Sequence, residues 1–295
     1  MTTMHPGRTQ TRTIVRAFVP TIQLAAIRAG FAVLEPVAPR AASWWALRLW
    51  TTLPRNGGRR RDERPHPGTA SAVSVDGRTV VVETWGEGPP VYLVHGWGGW
   101  RGQLGRFVDP FVRAGRTVVA FDAPGHGSSD PGGLGPGRGN ALELARSLAA
   151  VSAVHGEPEA VIAHSLGCAT SVVALRDGLG VGRLVCVAPS VDAMVSVSGT
   201  AQLLGFGRRT TAALIDRIEN LAGRPLSDFD PSTYGDVPPT LIVHDRRDKE
   251  VPYEQAERLA RAWPSADLVT TDGLGHQRIL RDQSVIERVV EFVAG

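Results

Sequence analysis

Short apolar segments recur along the chain from residue 91 onwards, and each is followed by a segment with helical character. The apolar segments lack the alternation with polar residues that a strand with one solvent-facing side shows. They occupy residues 91–95, 117–122, 160–164, 183–189, 240–245 and 267–271. Strands buried on both faces have this pattern, which predicts an α/β fold with a mostly parallel sheet flanked by helices.

Two strand-like segments come before this series. AVSV and TVVVETW flank Asp76-Gly77, a dipeptide that favours a two-residue hairpin turn. The pattern therefore predicts an antiparallel pair of strands at the start of the main domain. We assign that domain to residues 71–295.

The first part of the chain has a different character. Leu24, Ile27, Phe31 and Leu34 recur at helical spacing, and a second helical run ends at Pro54. We therefore predict an N-terminal helical extension over residues 1–54. Residues 55–70 are rich in charge, glycine and proline, which favours a linker.

One interval interrupts the alternation of strands and helices. About 50 residues, 190–239, separate two strands that a much shorter connection could join. Leu214, Ile215, Ile218 and Leu221 form an apolar helical stripe within it. Because this insertion follows the carboxyl end of the predicted sixth strand, we expect residues 190–239 to cover a functional site as a small helical lid.

Composition and charge narrow the class of protein. Apolar residues make up 42% and charged residues 21%, as in an ordinary globular protein. Cys168 and Cys186 lie in apolar segments without metal-ligand spacing, so we interpret both as reduced core residues. No stretch is long and apolar enough to span a bilayer, and no secretory leader is evident; these features favour a cytoplasmic protein.

Basic charge is concentrated near the start of the chain. Residues 1–61 contain ten arginines and one acid, Glu35. Of 32 basic residues only Lys249 is a lysine, so the arginine content alone is no binding signal. The segment nevertheless permits peripheral contact with an anionic membrane through its arginines and the cluster Trp44, Trp45 and Trp50. The alternative is that its helices pack on the main domain; nucleic-acid binding is not expected.

The segment AVIAHSLGCAT places a serine where a strand meets a helix. So tight a turn strains the residue at its centre, and small neighbours two positions away, here Ala163 and Gly167, relieve the crowding. Ser165 would then project at the carboxyl edge of the sheet, near the positive end of the following helix. The pattern is that of a nucleophile elbow, and its alternative is a capping serine.

A nucleophilic serine needs a base, and the base needs an acid that orients it. His276 follows the last strand on a glycine-rich loop, so it is the predicted base, with a helix-capping role as the alternative. Asp248 follows the penultimate strand and is the predicted acid; Asp245 is its main rival, with bonding of loop amides as its other role. The remaining histidines are discounted as bases: His5, His66, His95, His126, His155, His164 and His244.

The substrate's developing negative oxygen needs donors that are already in place. The backbone amide of Leu166 is one candidate. The amide of Trp97, in HGWGGW, is the other, because Gly96 permits close approach of the backbone. A plain strand-to-helix turn is the alternative for these glycines, and the Trp97 and Trp100 rings could line an acyl pocket or belong to the core.

The segments HGWGG, FDAPGHGSSD, AHSLG, DKEVP and GLGH, in this order, resemble the α/β-hydrolase superfamily over about residues 72–293. The resemblance implies an eight-stranded, mostly parallel sheet, with Ser165 as nucleophile, Asp248 as acid and His276 as base. It also implies an oxyanion hole made by Trp97 and Leu166. FDAPGHGSSD resembles a structural turn of the family, and the N-terminal helices resemble those of an uncharacterised bacterial subgroup.

These features together predict a serine hydrolase that cleaves a small-molecule carboxylic ester or thioester through an acyl-enzyme, without a metal or organic cofactor. Acyl transfer, carbon–carbon bond hydrolysis and peptide hydrolysis remain open, because the same three side chains serve them. A non-catalytic binding protein that keeps the fold is the alternative from a different class.

Overall fold

The computed structural model describes residues 21–54 and 62–295. Residues 1–20 of the predicted extension and residues 55–61 of the predicted linker lie outside this range. The strands are β1 (Thr69–Val75), β2 (Arg78–Trp85), β3 (Pro90–Val94), β4 (Thr117–Phe121), β5 (Ala160–His164), β6 (Arg183–Val187), β7 (Thr240–Asp245) and β8 (Asp267–Thr271). The helices are α1 (Thr21–Val37), α2 (Pro39–Trp50), α3 (Val108–Arg113), α4 (Ala141–His155), α5 (Leu166–Arg176), α6 (Ala193–Leu204), α7 (Arg208–Ala222), α8 (Glu254–Ala262), α9 (Gly275–Arg278) and α10 (Gln283–Ala294).

The eight strands form one sheet in the order β1-β2-β4-β3-β5-β6-β7-β8. β1 pairs with β2, and β2 with β4, in antiparallel register; every later pair is parallel. The predicted α/β fold with a mostly parallel sheet is confirmed. The hairpin turn also lies where predicted, with positive φ angles of 49° at Asp76 and 75° at Gly77.

The sheet has an apolar core on each face, which explains why its strands lack alternation. Tyr92 and Val94 of β3 belong to the core beneath α4, α5 and the N-terminal helices. Val91 and Leu93 of the same strand belong to the opposite core, together with apolar residues of α3 and α10. Successive side chains of a strand point to opposite faces, so a sheet covered on both sides requires apolar residues at every position.

The segment with helical character that the pattern predicts after the first apolar run, near residues 101–114, is only partly α-helical. A 3-10 turn spans Arg101–Phe107, and α3 begins at Val108. Gly105 lies against the backbone of Glu63 and Arg64, where an added Cβ would approach within 2.4 Å. Two glycines weaken a regular α-helix here, and the close passage of residues 63 and 64 accounts for one of them.

The N-terminal helices pack on the inserted segment 190–239, which consists of α6, α7 and two 3-10 turns. Phe31 of α1 is fully buried and lies 4.4 Å from the Trp45 ring and 5.0 Å from the Phe206 ring. Arg217 of α7 donates a hydrogen bond of 2.6 Å to the Ser43 hydroxyl of α2. The two segments therefore share one apolar interface.

Residues 51–54 continue from α2 towards the sheet edge. The Leu53 amide donates to the Gly137 carbonyl at 2.9 Å, and the Gly139 amide donates to the Thr51 carbonyl at 2.9 Å. Pro54 packs directly on the backbone of Gly98, so closely that a Cβ there would lie 2.4 Å from its ring. Within the described ranges 21–54 and 62–295, no helix is long and apolar enough to cross a membrane.

Candidate active site

Ser165 occupies a strained turn between β5 and α5. Its φ of 56° is a left-handed conformation that few non-glycine residues adopt. The Ser165 amide donates to the Val187 carbonyl of β6 at 3.0 Å, which fixes the turn to the sheet. At Gly167 a Cβ would lie 2.7 Å from the His95 carbonyl oxygen, so only glycine fits. The half-buried Ser165 side chain is thus held at the carboxyl edge of the parallel strands.

His276 lies beside Ser165 although 111 residues separate them in the chain. It is in α9, directly after the loop that follows β8. Gly273 and Gly275 of this segment have φ angles of 96° and 67°, which turn the chain back over the sheet edge. The His276 Nε2 atom is 3.0 Å from Ser165 Oγ.

Asp248 approaches the other side of the same imidazole. Its Oδ2 atom is 2.7 Å from His276 Nδ1, and its Oδ1 atom accepts from the amides of Glu250 at 2.7 Å and Val251 at 2.9 Å. A carboxylate only accepts, so Nδ1–H donates to it and Nε2 is left to accept the Ser165 hydroxyl proton. The geometry can therefore take a proton from Ser165.

The electrostatics keep Asp248 ionised. Burial raises the pKa of this carboxyl, but hydrogen bonds from His244, His276 and the Val251 amide outweigh burial and lower the pKa well below its usual value. A permanent negative charge beside Nδ1 stabilises the imidazolium that forms when His276 accepts a proton.

Asp245, the rival candidate for the acid, binds loop amides instead. It accepts from the amides of Leu274 at 2.8 Å, Gly273 at 3.2 Å and Arg247 at 2.9 Å. Its carboxylate therefore joins the loop after β7 to the loop that carries His276, and the His276 ring is bonded by Asp248.

Two histidines that sequence reasoning discounted as bases also lie in this cluster. His244 Nε2 is 3.2 Å from Asp248 Oδ2 and 3.2 Å from the Val251 carbonyl oxygen, and its N–H donates to these acceptors. This ring therefore helps to hold the Asp248 carboxylate in position. His164 Nε2 donates to the His276 carbonyl at 3.0 Å. Burial, with the neighbouring His276, lowers the pKa of His164 to about 3. His164 ends β5 directly before Ser165, and His244 is the penultimate residue of β7, four residues before Asp248; these positions are a signal that sequence reasoning left unused.

The loop after β3 lies directly against the serine. A Cβ on Gly96 would be 2.8 Å from Ser165 Cβ and 3.0 Å from the His164 carbonyl oxygen. Gly96 and Ser165 are therefore in close contact, and the next residue after each of them, Trp97 and Leu166, carries one of the two predicted oxyanion-hole amides. The Trp97 ring packs edge-on to His126, with ring centroids 5.9 Å apart.

Trp100 and the FDAPGHGSSD segment belong to the scaffold around this loop. The Trp100 ring is 7% exposed and lies beneath the guanidinium groups of Arg64 and Arg101. Asp122 accepts from the amides of Arg101 at 2.7 Å and Ser128 at 2.8 Å. These contacts stabilise the turn after β4.

Both cysteines are buried and are not joined by a disulfide; Cys168 Sγ lies 3.3 Å from the Ala163 carbonyl oxygen. Among the residues that the structure describes, histidine, cysteine and acidic side chains form no group of three or more able to hold a metal ion.

Comparisons with known proteins agree with this architecture. The alpha/beta hydrolase family matches residues 91–292, more than half of the chain. A 2-hydroxy-6-oxononadienedioate/2-hydroxy-6-oxononatrienedioate hydrolase from Cupriavidus pinatubonensis is 27% identical over 254 residues, which cover 69% of this chain and 86% of that protein. The corresponding hydrolase from Paraburkholderia xenovorans is 28% identical over 253 residues, covering 69% of this chain and 86% of that protein.

A similar solved structure is an esterase from Exiguobacterium antarcticum. It superposes with a TM-score of 0.59 at 17% identity, covering 77% of this chain and 100% of the esterase. At that identity the likeness concerns the fold. The family match, the sheet order and the hydrolase relatives together identify this chain as a hydrolase that belongs to the alpha/beta hydrolase family.

Proposed function

We propose that the protein is a serine hydrolase that cleaves a carboxylic ester or thioester of a small molecule through an acyl-enzyme. The observation that carries this proposal is the row of hydrogen bonds from Ser165 Oγ to His276 Nε2, at 3.0 Å, and from His276 Nδ1 to Asp248 Oδ2, at 2.7 Å. An alcohol is a weak nucleophile at neutral pH, and an adjacent oriented imidazole is the usual means of activating it.

In the first half of the reaction, Ser165 Oγ attacks the substrate's carbonyl carbon while its proton passes to His276 Nε2. The carbonyl oxygen becomes negative, and we assign its stabilisation to the amides of Trp97 and Leu166. Collapse of this intermediate breaks the bond to the alcohol or thiol, which leaves with the proton from His276. Asp248 stabilises the imidazolium throughout.

In the second half, water adds to the acyl group on Ser165 and gives a proton to His276. The second tetrahedral intermediate then releases the carboxylic acid, and Ser165 recovers its proton. Each assigned oxyanion donor contributes roughly 3–4 kcal/mol to the transition state, or about 10²–10³ in rate. No step of this scheme takes a proton or an electron from outside the three side chains, the substrate and water.

Labelling by a fluorophosphonate probe tests the nucleophile directly. The wild-type protein should be labelled on Ser165 and should hydrolyse short-chain p-nitrophenyl esters, whereas Ser165→Ala should lose both properties. Ser190→Ala is the matched control, because Ser190 is half-buried nearby and reaches Ser165 only through its backbone amide. Full turnover by Ser165→Ala would remove the nucleophile assignment; an unlabelled wild-type protein would favour a non-catalytic binding role.

Carbon–carbon bond hydrolysis is the second candidate, and the named activity of the relatives favours it. A substrate panel should decide between the two. We expect acyl esters or thioesters of graded chain length to be turned over at least about tenfold faster, by kcat/KM, than a 2-hydroxy-6-oxo-dienoate. The opposite order would replace the ester proposal while leaving Ser165 and His276 in place. Added alcohol or amine acceptors should not divert the product, as they would in an acyltransferase.

A further inference from the structure

Helix α1 is apolar on the side that faces away from the protein as well as on the side that packs against it. The large residues Ile22, Val33 and Val37 are 85%, 67% and 75% exposed. At 100° per residue, the exposed apolar positions fall within an arc of roughly 140°, and the face runs for roughly 22 Å. We name it the outer face of α1; it consists of Ile22, Ala25, Ala26, Ala29, Ala32, Val33, Pro36 and Val37.

Exposed apolar residues normally occur singly, and a continuous patch of this kind marks a surface that meets another apolar phase. The opposite side of α1 is already used, since Phe31 is fully buried against Trp45 and Phe206. No described residue covers the outer face. The face is therefore unpartnered within the part of the chain that the structure describes.

The charge around the outer face is positive. Exposed Arg28 lies on α1 just beyond one edge of the arc. Arg208 and Arg209, at the start of α7, line an open cleft together with Ala32 and Pro36 of the outer face. Both arginines are exposed, and neither forms an ion pair within the described ranges.

Nearby negative charge is turned inward or lies further away. Glu35 is the one acid in residues 1–61, and its carboxylate accepts from the amides of Arg209 at 3.1 Å and Thr210 at 3.4 Å. The negative charge of Glu35 therefore interacts with the positive amino end of the α7 helix dipole. The first acid along α7, Asp216, lies about two turns beyond Arg208 and Arg209. An apolar strip bordered by arginine is what an anionic bilayer surface attracts.

We propose that the outer face of α1 docks the protein on an anionic membrane, with its aliphatic side chains entering the interface and Arg28, Arg208 and Arg209 meeting lipid phosphates. A second copy of the chain fits this surface less well. A symmetric dimer places the same patch on both sides of the contact, and here it would bring arginines against arginines. Since α1 packs on α6 and contacts the first residues of α7 through Glu35, docking would place that part of the molecule beside the bilayer.

Sedimentation of the full-length chain with vesicles tests the proposal independently of catalysis. We expect binding to vesicles of equal parts phosphatidylcholine and phosphatidylglycerol, and little binding to phosphatidylcholine alone. Combining Ile22→Gln, Val33→Gln and Val37→Gln should reduce partitioning at least about tenfold, because three exposed aliphatic side chains no longer enter the interface. Glutamine keeps helix propensity, and circular dichroism should confirm an unchanged fold.

A matched control makes the same chemical change elsewhere on the surface. Val154→Gln with Leu221→Gln alters residues that are 65% and 44% exposed, and it should leave vesicle binding unchanged. Failure of the wild-type chain to sediment with anionic vesicles, or equal sedimentation of the triple variant, would overturn the proposal. So would light scattering that finds a wild-type dimer and a monomeric triple variant, because the face would then be a self-association surface.

Discussion

Replacing Gly96 by alanine should separate the chemistry of the site from its stability. The new methyl group would lie 2.8 Å from Ser165 Cβ and 3.0 Å from the His164 carbonyl oxygen. Ordinary contacts between such atoms are about 3.5 Å or more, so the two loops must separate by roughly half an ångström or more. Neither neighbour is the end of a flexible side chain, so the nucleophile turn or the loop after β3 has to move.

The catalytic cost should be large. The Trp97 amide that follows Gly96 would no longer match the oxyanion, and loss of one such donor costs roughly 3–4 kcal/mol. We therefore expect kcat/KM for a p-nitrophenyl ester to fall at least about 100-fold. Added volume in a packed region should lower the free energy of unfolding by only about 1–3 kcal/mol.

The assay is a steady-state rate measurement beside urea unfolding of the same preparation. Gly235→Ala is the control, because an added Cβ there meets nothing within 4 Å and the residue lacks a positive φ. It should leave both the rate and the stability near wild type. If folded Gly96→Ala kept its activity within about twofold, the close approach of this loop to Ser165 would have no part in the oxyanion site.

Three further predictions concern groups around the site. His244→Phe removes an N–H that donates to Asp248, so we expect kcat to fall about tenfold with KM little changed. His244→Gln keeps a donor, so its kcat should fall less. Equal kcat in the wild type and both variants would exclude a positioning role for His244. Burial lowers the pKa of His126 to about 3, so below pH ~6.5 the unfolded chain binds a proton that the folded protein does not bind, and the free energy of unfolding falls as the pH decreases. In urea titrations, His126→Asn should therefore remove about 2 kcal/mol of the difference in unfolding free energy between pH 7.5 and pH 5. An unchanged difference would contradict this. Arg258 of α8 donates to both Asp192 and Asp230, which lie towards the two ends of the inserted segment. Arg258→Gln should therefore speed hydrogen exchange of the α6 amides by about tenfold without changing exchange in β5. Equal acceleration in α6 and β5 would show that Arg258 does not stabilise the inserted segment locally.

The fold was predictable because burial on both faces leaves a direct trace in the sequence. Four consecutive apolar residues, such as residues 160–163 of β5, are typical of a strand that is buried on both faces. The 3-10 turn at Arg101–Phe107 was not predictable in the same way, since it depends on residues 63 and 64 passing beside Gly105. The spacing of apolar and polar residues along residues 101–107 does not predict that contact, because residues 63 and 64 are distant in the chain.

The site was predictable in part. Ser165, Asp248 and His276 were predicted from their places after three strands, and the structure brings them within hydrogen-bond distance. Their catalytic roles stay predictions until activity is measured. His244 and His164 were missed as partners, because the sequence shows neither where the ring of a histidine near the end of a buried strand points nor which atoms it bonds.

The contact of Pro54 with Gly98, and of Phe31 with Phe206, has a practical consequence for protein engineering. The family match begins at residue 91, and the sheet itself at Thr69, so either boundary invites removal of α1 and α2. Such a shortened chain would expose the apolar surface that Phe31 and Trp45 now cover. It would also remove Pro54, which packs on Gly98 in the loop beside Ser165. Chimaeras between family members should therefore exchange residues 21–54 and 190–239 together, as one cassette.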